Sequence, residues 1–115
     1  MTQKKSRFSV VLAESVVEGL NSISPTIHFV TLFYLDKYKS ISSNVYIDDP
    51  EAIDEGLREI FGFGAKVIEK KILEFLYSKL EVPQIVRDDF VFSEEVKRAK
   101  KLAGSVDLTA GHAHH

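Results

Sequence analysis

The sequence predicts an all-α fold: a compact bundle of four to five helices, with one short extended segment near 85–92. Three observations carry this. Apolar residues recur at spacings of three and four over several segments. Two segments open on a capping residue followed by proline, at Ser24-Pro25 and Asp49-Pro50. Gly62 and Val82-Pro83 supply stops.

The first helix is expected from Phe8 to about Ile23. Phe8, Leu12, Val16, Leu20 and Ile23 form its stripe, and Glu14 and Glu18 fall on the opposite face. Gly19 weakens it by about 1 kcal/mol, and Asn21-Ser22 suits a turn. Ser24 caps the second helix and Pro25 sits where a missing N–H costs nothing. Its run Ile27-His28-Phe29-Val30-Thr31-Leu32-Phe33-Tyr34-Leu35 is apolar on most sides, which places a helix at the centre of a fold or in an interface. Asp36, Lys37 and Lys39 mark its wet end, and 41–47 reads as a loop or short extended piece.

Asp48-Asp49-Pro50-Glu51 starts the third helix, with acid in the first turn. Ile53, Leu57, Ile60 and Phe61 are its stripe, and Gly62 is placed to end it with a positive φ. The fourth helix, from Ala65, has the clearest period: Ala65, Ile68, Ile72, Phe75, Leu76 and Leu80. Lys66, Glu69, Lys70 and Glu74 are assigned to its wet face, with Lys70 and Glu74 spaced to pair. Residues 85–92 lean towards β structure but are split by Arg87-Asp88-Asp89, which reads as a turn. Ser93-Glu94-Glu95 starts a last helix to about Ala103, with Glu94 spaced to pair with Arg98. The second and fourth helices are expected at the centre.

Composition bounds the function. The 115 residues are one domain's worth, and 44% hydrophobic with 28% charged residues is globular usage. A formal net charge of −2 argues against a protein built to coat nucleic acid. With no Cys, thiolate chemistry, disulfides and Cys-based zinc sites are excluded, and the cytoplasm is the expected location. No apolar run of membrane-spanning length is present, and the apolar stretch after the basic start is cut by Glu14 and Glu18, against a signal peptide. Three of the four His fall at 112, 114 and 115. Gly104-Ser105 and Val106-Asp107 are what two common cloning sites encode in frame. Residues 1–103 are therefore read as one helical domain and 104–115 as an expression-tag remnant or disordered tail, the alternative being a His-rich metal-binding tail.

No catalytic, cofactor or metal constellation is expected. Gly62-Phe63-Gly64-Ala65-Lys66 puts two glycines and a Lys at a helix start, but lacks the spacing of a phosphate loop. It reads as a structural corner of Gly62, Phe63 and Gly64, with Phe63 packed inward. His28, the only internal His, reads as partly buried and structural. The acids from Asp48 to Glu55 do not follow a calcium-loop pattern and read as capping plus a solvated face. Lys97, Arg98, Lys100 and Lys101, together with Lys4, Lys5 and Arg7, are candidate phosphate contacts.

The corner Leu57-Arg58-Glu59-Ile60-Phe61-Gly62-Phe63-Gly64-Ala65-Lys66-Val67-Ile68-Glu69 lies between Asp49-Pro50-Glu51 and Leu76-Tyr77-Ser78-Lys79-Leu80. Over about residues 10–85 the chain resembles the archaeal "Nitrosopumilus output domain" family, whose Phe-Gly-x-Gly-Ala element matches Phe61 to Ala65. The resemblance implies a small helical module, found alone or fused behind receiver and other signalling domains, with no catalytic residues to carry over. The expected function is a non-enzymatic regulatory or protein-interaction module acting through a helical face. Phe29, Phe33 and Tyr34 are the expected interface, and a homodimer joining part of the second helix with part of the first is the expected assembly. The rival for that face is a covering loop over 39–47. The alternative function is a small nucleic-acid-associated regulator using the two basic ends. A weaker third reading is an enzyme or ligand binder around His28 and Tyr34.

Overall fold

The computed structural model describes residues 7–41, 49–83 and 87–113, the stretch from 105 as helical backbone only. Helix α1 is Arg7–Ile23, α2 Pro25–Lys39, α3 Pro50–Phe61, α4 Ala65–Leu80 and α5 Phe92–Ala113. A single 3-10 turn, Gly62–Gly64, joins α3 to α4. The fold is all-α, and among the described residues there is no strand. The extended segment expected near 85–92 is not found from 87 on. Asp88-Asp89 form a turn, closed by the Phe90 N–H donating to the Arg87 carbonyl at 3.2 Å. Residues 84–86, like the segment 42–48, lie outside the described residues.

The helix starts follow from their caps. The Ser24 hydroxyl accepts from the Ile27 N–H at 3.1 Å, and the Asp49 carboxylate from the Ala52 N–H at 3.1 Å. Pro follows each cap, as expected. Gly62 ends α3 with φ 58°, a backbone that residues with a Cβ rarely adopt.

The core is built on α1 against α4. Leu12, Val16 and Leu20 meet Ile72, Leu73 and Leu76, all buried, with Ile53 and Leu57 of α3 and Phe92, Val96 and Ala99 of α5 closing the sides. Gly19 has a structural reason. A Cβ there would stand 2.9 Å from the Ile72 Cα, so the two helices pack closer than any other residue allows. The wet stripe of α1 is tied across this contact, with Glu18 at 2.9 Å and Glu14 at 3.8 Å from Lys79 Nζ.

The second helix is not central. Of α2 only Thr31 and Leu35 are buried, whereas α1 buries eight residues. Leu35 packs into the gap left by Gly56 of α3, where a Cβ would stand 2.6 Å from Leu35 Cδ2. The expectation failed because a helix apolar on most sides carries no stripe to say which side faces in.

Three further expectations are corrected. Phe63 points fully into solvent, and Phe61 takes the inward place instead. Glu69, assigned to the wet face, is buried. The last helix does not end near Ala103; it continues through Gly104 to Ala113. Two pairs also shift. Glu74 pairs with Lys71 at 3.2 Å, and Arg98 with Glu95 at 3.1 Å.

Candidate functional site

Two places carry chemistry that packing does not account for. The first is the outer face of α2. Phe29 and Phe33, one turn apart, are 70% and 57% exposed, and Val30, Tyr38 and Ile23 are exposed beside them. The two phenyl rings lie nearly parallel, 17° apart, with centroids 6.5 Å apart. Lys37 Nζ stands 5.7 Å from the Phe33 and Tyr38 ring centroids. These rings make a ridge edged by a cation.

Tyr34 is half-buried, with its ring centroid 4.7 Å from that of Tyr38. Its hydroxyl donates to Glu59 of α3 at 2.7 Å, and the other Glu59 oxygen accepts from Lys39 at 3.0 Å. Lys39 also reaches Glu55 at 3.5 Å. The bond to Glu59 raises the Tyr34 hydroxyl and the Lys39 ammonium above their ordinary pKa values, and the bond from Tyr34 holds Glu59 below its own. This polar cluster fastens α2 to α3 and so fixes which side of α2 is left outward. His28 is half-buried on the same helix.

The second place is a groove of about 290 Å³ at the α3–α4 corner, lined by Asp54, Arg58, Phe63, Lys66, Glu69 and Phe90 among others. Asp54 pairs with Arg58 at 2.7 Å. Lys66 donates to the Phe90 carbonyl, with its ammonium 4.1 Å from the Phe90 ring centroid. Glu69 is only 2% exposed, and its Oε2 has no hydrogen-bond partner among the described residues. Burial first, then the hydrogen bond and charge of Asp54, pushes the Glu69 carboxyl up to about 9, so it is protonated at neutral pH. The corner glycines position this groove: Gly62 turns the chain, and Gly64 leads into α4. Reading by residue type placed Glu69 with the lysines. The signal that locates it is a row at spacing four, Ala65, Glu69, Leu73 and Tyr77, every member buried.

The basic end is partly engaged within the chain. Lys97 lies 3.4 Å from Glu51. Arg98 donates to the Tyr77 hydroxyl at 3.0 Å as well as to Glu95, and the Tyr77 hydroxyl itself donates to Glu95. Burial, then the bond to Glu95, pushes the Tyr77 hydroxyl up to about 12. Lys100 Nζ stands 5.7 Å from the Phe8 ring centroid, and Lys101 is exposed. The fold thus brings an aromatic to cations that the sequence keeps apart. Lys4 and Lys5 lie outside the described residues, and Arg7 is exposed. Asp49 is spent as a cap and Asp54 faces Arg58, so the acidic run is divided between two tasks; Asp48 lies outside the described residues. No helix among the described residues is long and apolar enough to cross a membrane. Comparisons with family models, with curated proteins and with solved structures found no match for this chain.

Proposed function

We propose that this chain is a non-enzymatic regulatory module that acts by protein interaction through the outer face of α2, and that a second copy of the chain is what it meets there. The observation that carries this reading is the exposure of Phe29 and Phe33 on a helix whose opposite side is already fastened to α3. Exposed apolar ridges of this kind usually mark contacts with another molecule. Antiparallel pairing of two α2 helices about a two-fold axis sets one Phe29–Phe33 ridge beside the other, so the surface complements itself. The resemblance to signalling output domains supports a regulatory role for such pairing, and the lack of Cys supports a cytoplasmic setting.

Light scattering tests it. The expected mass at micromolar concentration is twice 13.0 kDa, and Phe29→Asp combined with Phe33→Asp returns it to 13.0 kDa with helical circular dichroism intact. A mass of 13.0 kDa for the unaltered chain at every concentration overturns self-pairing. The nucleic-acid reading has one observation in its favour: Phe8, Lys97 and Lys100 border a single hollow of about 170 Å³. Its signature is DNA binding that weakens steeply with salt.

A further inference from the structure

We propose that the groove at the α3–α4 corner binds a small organic anion that carries an aromatic ring and a hydroxyl or N–H donor. This site is separate from the α2 face and goes beyond the interaction role. Three features of the groove each call for one part of that ligand.

The first is the floor. Glu69 Oε2 is buried without a partner. The neutral Glu69 carboxyl donates its O–H in a hydrogen bond to the Asp54 carboxylate and keeps its other oxygen as an acceptor. Buried acceptors are almost always satisfied, and leaving one bare is unfavourable. No described residue supplies a donor to Oε2, and Glu69 lines the groove, so a hydroxyl or N–H bound there is placed to complete it.

The second is charge. With Glu69 neutral, the ionised groups of the lining are Asp54, Arg58 and Lys66. Two cations against one anion favour a negatively charged guest over a metal ion or an amine. Arg58 presents a planar guanidinium and Lys66 an ammonium, and both suit a carboxylate.

The third is the wall. Phe63 is wholly exposed, held outward by the turn, while Phe90 and Val91 line the groove from the segment leading into α5. An aromatic body laid against Phe63 and Val91 removes apolar surface from water that the fold leaves wet. The volume of about 290 Å³ lies near the lower end of small-molecule sites and fits a single ring with its substituents.

The probe is 4-hydroxybenzoate, titrated into the ¹⁵N-labelled full chain, with benzoate as the analogue lacking the donor. The expected result is saturable shifts confined to amides of Asp54, Arg58, Phe63, Lys66, Glu69 and Phe90. Benzoate is expected to bind about tenfold more weakly, the size of one hydrogen bond. Glu69→Gln keeps this preference, because its amide N–H replaces the carboxyl proton towards Asp54 and its carbonyl oxygen remains the acceptor. Glu69→Leu erases the preference while leaving benzoate binding in place, and Lys66→Met weakens both anions alike. The proposal is overturned by the absence of saturable shifts up to about 10 mM probe, by equal affinity for the two acids, or by a hydroxyl preference that survives in Glu69→Leu.

Discussion

Helices α1 and α2 are neighbours in the chain, separated by Ser24 alone, and of similar length and apolar content, yet they do opposite things. The first buries eight residues, most of its contact being with α4; the second buries two and turns Phe29 and Phe33 to solvent. Burying one such phenyl is worth about 1.5–3 kcal/mol, and α2 forgoes that stabilisation at both positions. The difference lies in pattern. α1 has a polar stripe of Glu14 and Glu18 that settles its orientation, whereas α2 is oriented by a polar cluster of Tyr34, Lys39, Glu55 and Glu59. Hydrophobic amount says that a helix will be covered; hydrophobic period says by what. A helix rich in the first and poor in the second is where to look for a contact outside the chain.

The contrast predicts a graded set of effects. Leu20→Ala opens a cavity at the α1–α4 contact and is expected to cost about 2–5 kcal/mol in denaturant unfolding. Gly19→Ala gains helix propensity but drives a methyl onto the Ile72 backbone, and a net loss of about 1–3 kcal/mol is expected. Glu69 gives that same side of the molecule a pH signature. Its carboxyl is held near 9 in the folded chain against 4.5 as its ordinary value. Between those limits the unfolded chain releases a proton that the folded chain keeps, so the contribution of Glu69 to stability is fully present below about 4.5 and is lost as pH rises towards 9. Thermal midpoints are expected to drop between pH 5 and pH 8, by a free energy of about 1–3 kcal/mol, and Glu69→Gln is expected to flatten this slope. Gly62→Ala should cost about 1 kcal/mol, all of it backbone, since a Cβ there meets nothing within 4 Å. Smallest of all, Phe29→Ser on α2 should move the unfolding midpoint of dilute protein by less than about 0.5 kcal/mol, and a larger loss would place this ring in the core.

What could be read in the chain was what depends on neighbours in sequence. Ser24 and Asp49 act within three residues of themselves, and the stripes of α1 and α4 recur within a helix. The turn at Asp88-Asp89 is equally local. What escaped depends on partners far along the chain. Gly19 looks like a defect until Ile72 is set against it. Glu69 looks solvated beside Lys66 and Lys70, because its residue type hides the buried row it shares with Ala65, Leu73 and Tyr77. Phe63 looks like an inward residue until Phe61, two residues earlier, is seen to fill that place. The continuation of α5 through Gly104 went against the only residue there that argues for a stop.

The closeness of α1 to α4 has a consequence for how the chain reaches this shape. Gly19 and Ile72 are roughly fifty residues apart, and bringing such distant segments together costs loop entropy before any burial offsets it. Helices α3 and α4, joined through a three-residue turn, can associate early, and α2 can dock on α3 across the short segment between them. The first helix has only α2, its neighbour across Ser24, to lean on before then, and its α4-facing side stays uncovered until that platform exists. That side of α1 is therefore covered late. On a ribosome, the α4-facing side of α1 must wait, apolar and uncovered, until residue 72 and its neighbours have followed it.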